Sequence, residues 1–160
     1  MDLRLIINGK KAADEQLREA ISQFRASQSL AVRVTYEGGD IERFINEAGD
    51  EGVKRVVVAG GDGTVNEAVN ALMKMEKSQR LELAILPMGT ANDFATAAKI
   101  PDGYLPALEL AAQGQPYAID TVEVDKRYFV NVASAGFGAK ITATTPPALK
   151  NLLGGGAYTL

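Results

Sequence analysis

The segment Lys54 to Ala59 carries Val56-Val57-Val58, three β-branched residues in a row with no polar residue alternating among them. A strand apolar on both faces belongs in the middle of a parallel sheet. The surrounding sequence supplies its neighbours and covers. Leu3 to Ile7 reads as a short buried strand ended by the turn Asn8-Gly9. Asp14 then caps a helix whose Leu17, Ala20, Ile21 and Phe24 share one face. Leu30, Val32, Val34 and Tyr36 alternate with Ala31, Arg33 and Thr35 as a second strand. Past Gly38-Gly39, Asp40 is placed to cap a helix with the stripe Ile41, Phe44, Ile45 and Ala48. After the valine strand, Val65, Ala68, Val69, Leu72 and Met75 draw another helical stripe, and Leu81 to Leu86 forms a strand stopped by Pro87. Helices are expected over Phe94 to Ala98 and Leu105 to Ala112. This regular alternation of strand and helix predicts an α/β fold, an open and mostly parallel sheet flanked by helices.

The last third changes character. Tyr117 to Val124 and Tyr128 to Ser134 are separated by Asp125-Lys126-Arg127, which reads as an antiparallel hairpin. Pro146-Pro147 and Gly154-Gly155-Gly156 mark 146–160 as a linker, so that 1–145 is expected to be one α/β domain.

Composition narrows the chemistry. Among 160 residues there is no Cys and no His. Thiolate nucleophiles, Cys-ligated zinc and imidazole bases are therefore excluded within this chain, and proton transfer falls to carboxylates or Lys. A net charge of −3 argues against a nucleic-acid binder that relies on a basic stripe. Asp2 and Arg4 precede an apolar run of three residues, Leu5 to Ile7, too short for a signal peptide, which predicts a cytoplasmic protein.

Two glycine-bearing loops follow predicted strands, at the sheet edge where open α/β folds bind ligands. In the first, Gly60-Gly61-Asp62-Gly63-Thr64, the glycines let a ligand approach the backbone, and the helix that follows turns its free amides and positive dipole end toward an anion. Phosphate is the natural guest, although the same glycines also suit a tight strand-to-helix turn. A carboxylate beside phosphate is repulsive unless a cation intervenes or the acid orients a hydroxyl, so Asp62 suggests metal-assisted phosphoryl chemistry. The second loop is Pro87-Met88-Gly89-Thr90-Ala91-Asn92-Asp93. Thr90 and Asn92 are suited to hydrogen-bond nucleotide oxygens and Asp93 to a cation or sugar hydroxyl, the plainer alternative being that Thr90 or Asn92 caps a helix. Neither the Walker phosphate loop nor the three-glycine dinucleotide fingerprint is present: Gly9-Lys10 is followed by Lys11, and Gly136-Phe137-Gly138 lacks the third glycine.

The stretches Val57 to Glu67 and Ile85 to Ala95 together resemble the diacylglycerol kinase catalytic domain family, and within it the YegS-type bacterial lipid kinases. The first stretch alone is shared with NAD kinases. The second makes the likeness specific, and it continues at Arg33-Val34-Thr35, Ile119-Asp120 and Asn131 to Gly138. The resemblance implies that ATP is held by Thr35, by Gly61, Asp62, Gly63, Thr64, Val65, Asn66 and Glu67, and by Thr90. It implies a second, β-rich domain that carries the Mg²⁺ loop and the carboxylate base, and it puts that domain beyond Leu160, the last of these residues. No metal ligand and no catalytic base is therefore assigned between Met1 and Leu160, with Asp62 a candidate organiser of metal and water.

The implied activity is transfer of the ATP γ-phosphoryl to a lipid hydroxyl, of the diacylglycerol or phosphatidylglycerol class, at the inner face of the membrane. By itself the chain is expected to be inactive. Two rivals are an NAD kinase-like phosphotransferase, which the second loop disfavours, and a non-catalytic nucleotide-sensing module.

Overall fold

A computed structural model describes residues 3–130. Four parallel strands, β1 (Leu3–Ile7), β2 (Leu30–Val34), β3 (Arg55–Gly60) and β4 (Glu82–Pro87), form one sheet in the order β2-β1-β3-β4. Helices α1 (Glu15–Arg25), α2 (Asp40–Asp50) and α3 (Asp62–Lys74) connect them, and α4 (Asp93–Ala97) and α5 (Tyr104–Gln113) follow. A two-stranded antiparallel hairpin, β5 (Val122–Val124) with β6 (Arg127–Phe129), completes the described part. The α/β sheet with an antiparallel element after it is the expected architecture.

The valine run explains the layering. Val57 and Ala59 pack with Leu3, Leu5 and Ile7 against α1 and α5, whereas Val56 and Val58 pack with Ile6 and Ile85 against α2, α3 and α4. Every residue of β3 is buried, as a central parallel strand requires. The stripe on α1 is Leu17, Ala20, Ile21 and Phe24, and Asp14 caps it through the Leu17 amide at 3.0 Å. Asp14 also accepts from the Tyr104 hydroxyl at 2.9 Å, which ties α1 to α5. These two bonds hold its carboxyl below the usual carboxylate range, while burial and then Asp14 push the Tyr104 phenol up.

Three local expectations are corrected. The second strand ends at Val34, because Val34 pairs with Ile7, the last residue of β1, its only neighbour in the sheet among the described residues. Asp40 does not cap α2. Gly39 occupies the cap position with φ 89°, and the Asp40 carboxylate turns back to accept from the amides of Tyr36 and Glu37. In the hairpin, β5 is confined to Val122–Val124 and the turn to Asp125 and Lys126, both at positive φ (49° and 63°), the geometry of a tight two-residue connection. The expected continuation of β6 to Ser134, the segment Asn131 to Gly138 and the linker 146–160 lie outside the described residues. So do Leu160 and the catalytic base expected beyond it.

Candidate functional site

The register places the four strand ends on one rung, Val34, Ile7, Ala59 and Leu86. The segments that leave it carry all the sequence-predicted site residues: Thr35 after β2, Gly60 to Glu67 after β3, Thr90 after β4. Asn8-Gly9 leaves β1 between them. The chain order reverses between β1 and β3, so this edge is the topological switch point where open α/β sheets bind ligands.

Close backbone approach holds the loops together. A Cβ on Gly61 would lie 2.9 Å from the Gly89 Cα, so the two loops touch through glycines. Gly60 is crowded by the Thr64 side chain and Gly9 by the Thr35 carbonyl. The Gly9 amide donates to Thr35 Oγ1 at 3.1 Å, and Asn8 Nδ2 lies 3.5 Å from Thr64 Oγ1. Strand ends β2, β1 and β3 are thereby stitched by side chains as well as by the ladder.

Gly63 stands apart. It lies in the first turn of α3, exposed, and a Cβ there would meet nothing within 4 Å. Among the described residues no side chain caps this helix end, where the first amides have no intrahelical partner. Open space, helix-terminal amides and the positive dipole end coincide there, which suits an anion.

Asp62 performs a role that sequence reading did not foresee. Its two carboxylate oxygens accept the amides of Asp93 and Phe94, at 3.3 and 3.1 Å. The acid of the first loop thus caps the helix of the second. Asn92, at φ 52°, is occupied within its own loop: its Oδ1 accepts from the Gly89 amide at 2.8 Å and its Nδ2 donates to the Gly89 carbonyl at 2.9 Å. Its side chain therefore braces the loop, and although Asn92 occupies the N-cap position of α4, as the plainer alternative had it, it makes no side-chain capping bond.

The remaining predicted residues divide. Thr64 and Val65 are buried, Val65 within the core, so its contribution to a ligand is limited to its backbone. Gly61, Thr35 and Asn66 are half-buried, and Glu67 and Thr90 exposed. Among the described residues no group of three or more acidic side chains gathers to hold a metal ion. A groove of about 600 Å³ between α2 and α3, lined by Glu42, Asn46, Lys74 and Met75 among others, shares no residue with these loops.

Two contributors were missed in the sequence. Asn8 looked like a turn residue, yet it caps the 3-10 turn Gly9–Lys11 through the Lys10 amide and faces Thr64. Asn70 donates to the carbonyls of Asn66 and Tyr128, both at 2.8 Å, and accepts from the Tyr128 amide at 2.9 Å, docking the hairpin on α3. A polar residue flanked by Val69, Ala71 and Leu72 was the available signal for Asn70.

A family model, that of the diacylglycerol kinase catalytic domain, matches residues 2–124. The chain belongs to that family. A relative from Shewanella frigidimarina (strain NCIMB 400), named probable lipid kinase YegS-like, is 51% identical over 160 residues, covering 99% of this chain and 52% of the relative. One of the same name from Yersinia enterocolitica is 48% identical over 156 residues, covering 96% of this chain and 53% of its own. The crystal structure of a diacylglycerol kinase from Bacillus anthracis superposes with a TM-score of 0.70 at 28% identity, over 94% of this chain and 53% of that one. The likeness to YegS-like lipid kinases thus runs along nearly the whole chain, which spans about half the length of the curated relatives it matches.

Proposed function

We propose that the edge formed by the Gly60–Thr64 and Gly89–Asp93 loops binds the phosphates of ATP, and that the whole protein transfers the γ-phosphoryl group to a lipid hydroxyl of the diacylglycerol or phosphatidylglycerol class. Gly63 carries this reading. Glycine inside a helix costs about 0.5–1 kcal/mol relative to alanine. At Gly63 the packing of the described residues does not require it, since outside its own helical turn none of their atoms lies within 4 Å of the missing Cβ. A bound anion on the α3 amides would.

In this reading 1–145 is the nucleotide-binding unit and 146–160 leads toward a second domain, past Leu160, that holds the base. The lipid oxygen forms a bond to the γ-phosphorus as the bond to the bridging β–γ oxygen breaks. ADP leaves, and the hydroxyl proton passes to a carboxylate of that second domain. The chain's own part is positioning: α3 amides on the phosphates, Thr35 and Thr90 on either flank, Asp62 holding the two loops in register. Mg²⁺ is assigned no ligand among the described residues, and when bound with ATP it neutralises phosphate charge. The reaction takes place in the cytoplasm at the inner face of the membrane. No helix of the described residues is long and apolar enough to cross a bilayer.

Calorimetric titration with MgATP and with NAD, on the natural sequence and on Gly63→Val, tests the reading. Heat of binding for ATP alone, lost in the variant, is expected. Equal ATP binding by both proteins would remove the phosphate site from α3, and binding of NAD in its place would favour an NAD kinase-like activity.

A further inference from the structure

Tyr36 is 97% exposed. Exposure on this scale normally accompanies a mobile tip, but here the backbone is clamped. The Tyr36 amide donates to Asp40 Oδ2 at 2.6 Å and the Glu37 amide to the same oxygen at 3.1 Å. Asp40 is itself buried and held by Arg43 at 2.6 Å. On the other side, the Thr35 amide donates to the Ile7 carbonyl at 2.9 Å and Thr35 Oγ1 accepts from Gly9. A rigid segment therefore presents a bare aromatic ring at the strand-end edge of the sheet.

Its position relative to α3 follows from the register. Val34, Ile7 and Ala59 form one rung across β2, β1 and β3. Two interstrand spacings of about 4.8 Å put the exit of β2 roughly 10 Å from the exit of β3. That is comparable to the distance between the base and the inner phosphates of an extended nucleoside triphosphate. A nucleotide with its phosphates on α3 and its sugar over Asn8-Gly9 brings its base to Thr35-Tyr36.

We infer that the Tyr36 ring is the platform on which the base of the nucleotide stacks, with Val34, 45% exposed, adding apolar surface beside it. This rests on the nucleotide reading above and extends it to the base. Stacking on an aromatic face tolerates any base, because every base presents a π-face. Tyr36 thus supplies affinity without choosing between adenine and guanine. A membrane contact is the competing use of an exposed aromatic. It is disfavoured because membrane-surface binding draws on a broad apolar face, and the residues that follow Tyr36 in its loop, Glu37-Gly38-Gly39-Asp40, add no exposed apolar side chain to it.

The test is calorimetric titration of the intact protein and its Tyr36→Ala and Tyr36→Phe variants with MgATP, MgGTP and inorganic tripolyphosphate. Tyr36→Ala is expected to weaken both nucleotides by roughly 5- to 100-fold and to leave tripolyphosphate unchanged, while Tyr36→Phe keeps nucleotide affinity. Undiminished ATP binding by Tyr36→Ala overturns the inference and leaves the phosphate site standing. Equal loss of tripolyphosphate overturns it too, since the ring would then be supporting the phosphate end. So does loss of binding to phosphatidylglycerol vesicles with ATP affinity intact. Failure of the natural protein to bind ATP removes the nucleotide site and this platform together.

Discussion

Gly61 and Gly89 are pressed backbone to backbone: a Cβ on Gly89 would lie 2.5 Å from the Gly61 Cα and 2.8 Å from Asn92 Oδ1. Neither neighbour is the end of a flexible chain, since Asn92 Oδ1 is held by the Gly89 amide. Gly89→Ala is therefore expected to cost about 1–3 kcal/mol, the range for overpacking, and to separate the two loops. Gly63→Ala is the opposite case. With open space around it in a helical turn, it is expected to gain up to about 1 kcal/mol while weakening nucleotide binding. Urea midpoints of the two variants, taken with ATP titrations, check this. A destabilised Gly63→Ala or an undisturbed Gly89→Ala would reverse the assignment of the two glycines.

Asp62 caps α4 from 31 residues away in sequence. Asp62→Ala leaves the Asp93 and Phe94 amides without that acceptor and is expected to cost about 0.5–2 kcal/mol, as loss of a helix cap does. Amide exchange should quicken at Asp93 and Phe94 first, and Asp62→Asn, which retains one acceptor oxygen, should fall between. Under the proposed function, Asp62→Ala should also lower phosphoryl transfer by the whole protein by orders of magnitude. Unchanged protection at both amides would show that the carboxylate does not organise the second loop.

What could be read in advance was whatever repeats locally. Val56-Val57-Val58 encodes its burial in consecutive positions, and the α1 stripe and its Asp14 cap lie within one helix length, so strand, helix and cap were all legible. The glycine loops were legible because few residues other than glycine suit such backbone approach. Roles fixed by distant partners were not. An aspartate in a glycine loop suggests a cation, and nothing local says that its oxygens belong to Asp93 and Phe94. Asp40 misled for a related reason: it precedes an apolar helical stripe as caps do, yet the Gly39 backbone at φ 89° takes that place and frees the carboxylate to bind the preceding loop. The alternation of β2 ran on to Tyr36, although the strand had already reached the end of its partner at Ile7.

Asp40 makes one part of the site acid-sensitive. Its carboxyl is lowered from 3.8 to about 2, chiefly by the Tyr36 amide, then by Arg43 and the Glu37 amide. A group whose folded pKa is depressed contributes stability above its unfolded pKa, and that contribution fades as pH falls through the folded value. The loop carrying Thr35 and Tyr36 should therefore loosen as pH drops from 3.8 toward 2. Asp40→Asn should be less stable at neutral pH and show a flatter dependence across that window. Urea midpoints of both proteins through the window test this, and parallel slopes would remove Asp40 as the acid-labile contact.

Asn70 supplies a separable test of how the hairpin is held. Its amide gives and takes a hydrogen bond with the Tyr128 backbone, at 2.8 and 2.9 Å, much as a neighbouring strand would. Intramolecular hydrogen bonds contribute about 0.5–1.5 kcal/mol each, so Asn70→Ala should cost about 1–3 kcal/mol in anchoring the hairpin. Asn70 lies seven residues past Gly63, about 10 Å along the helix at 1.5 Å per residue. The anchor is therefore on the body of α3 and not at its N-terminal end. Faster amide exchange is expected at Tyr128, with protection along β1 and β3 unchanged and ATP affinity preserved. A comparable loss of ATP affinity would mean that the docked hairpin orients the first turn of α3, and that the two ends of the helix act as one unit.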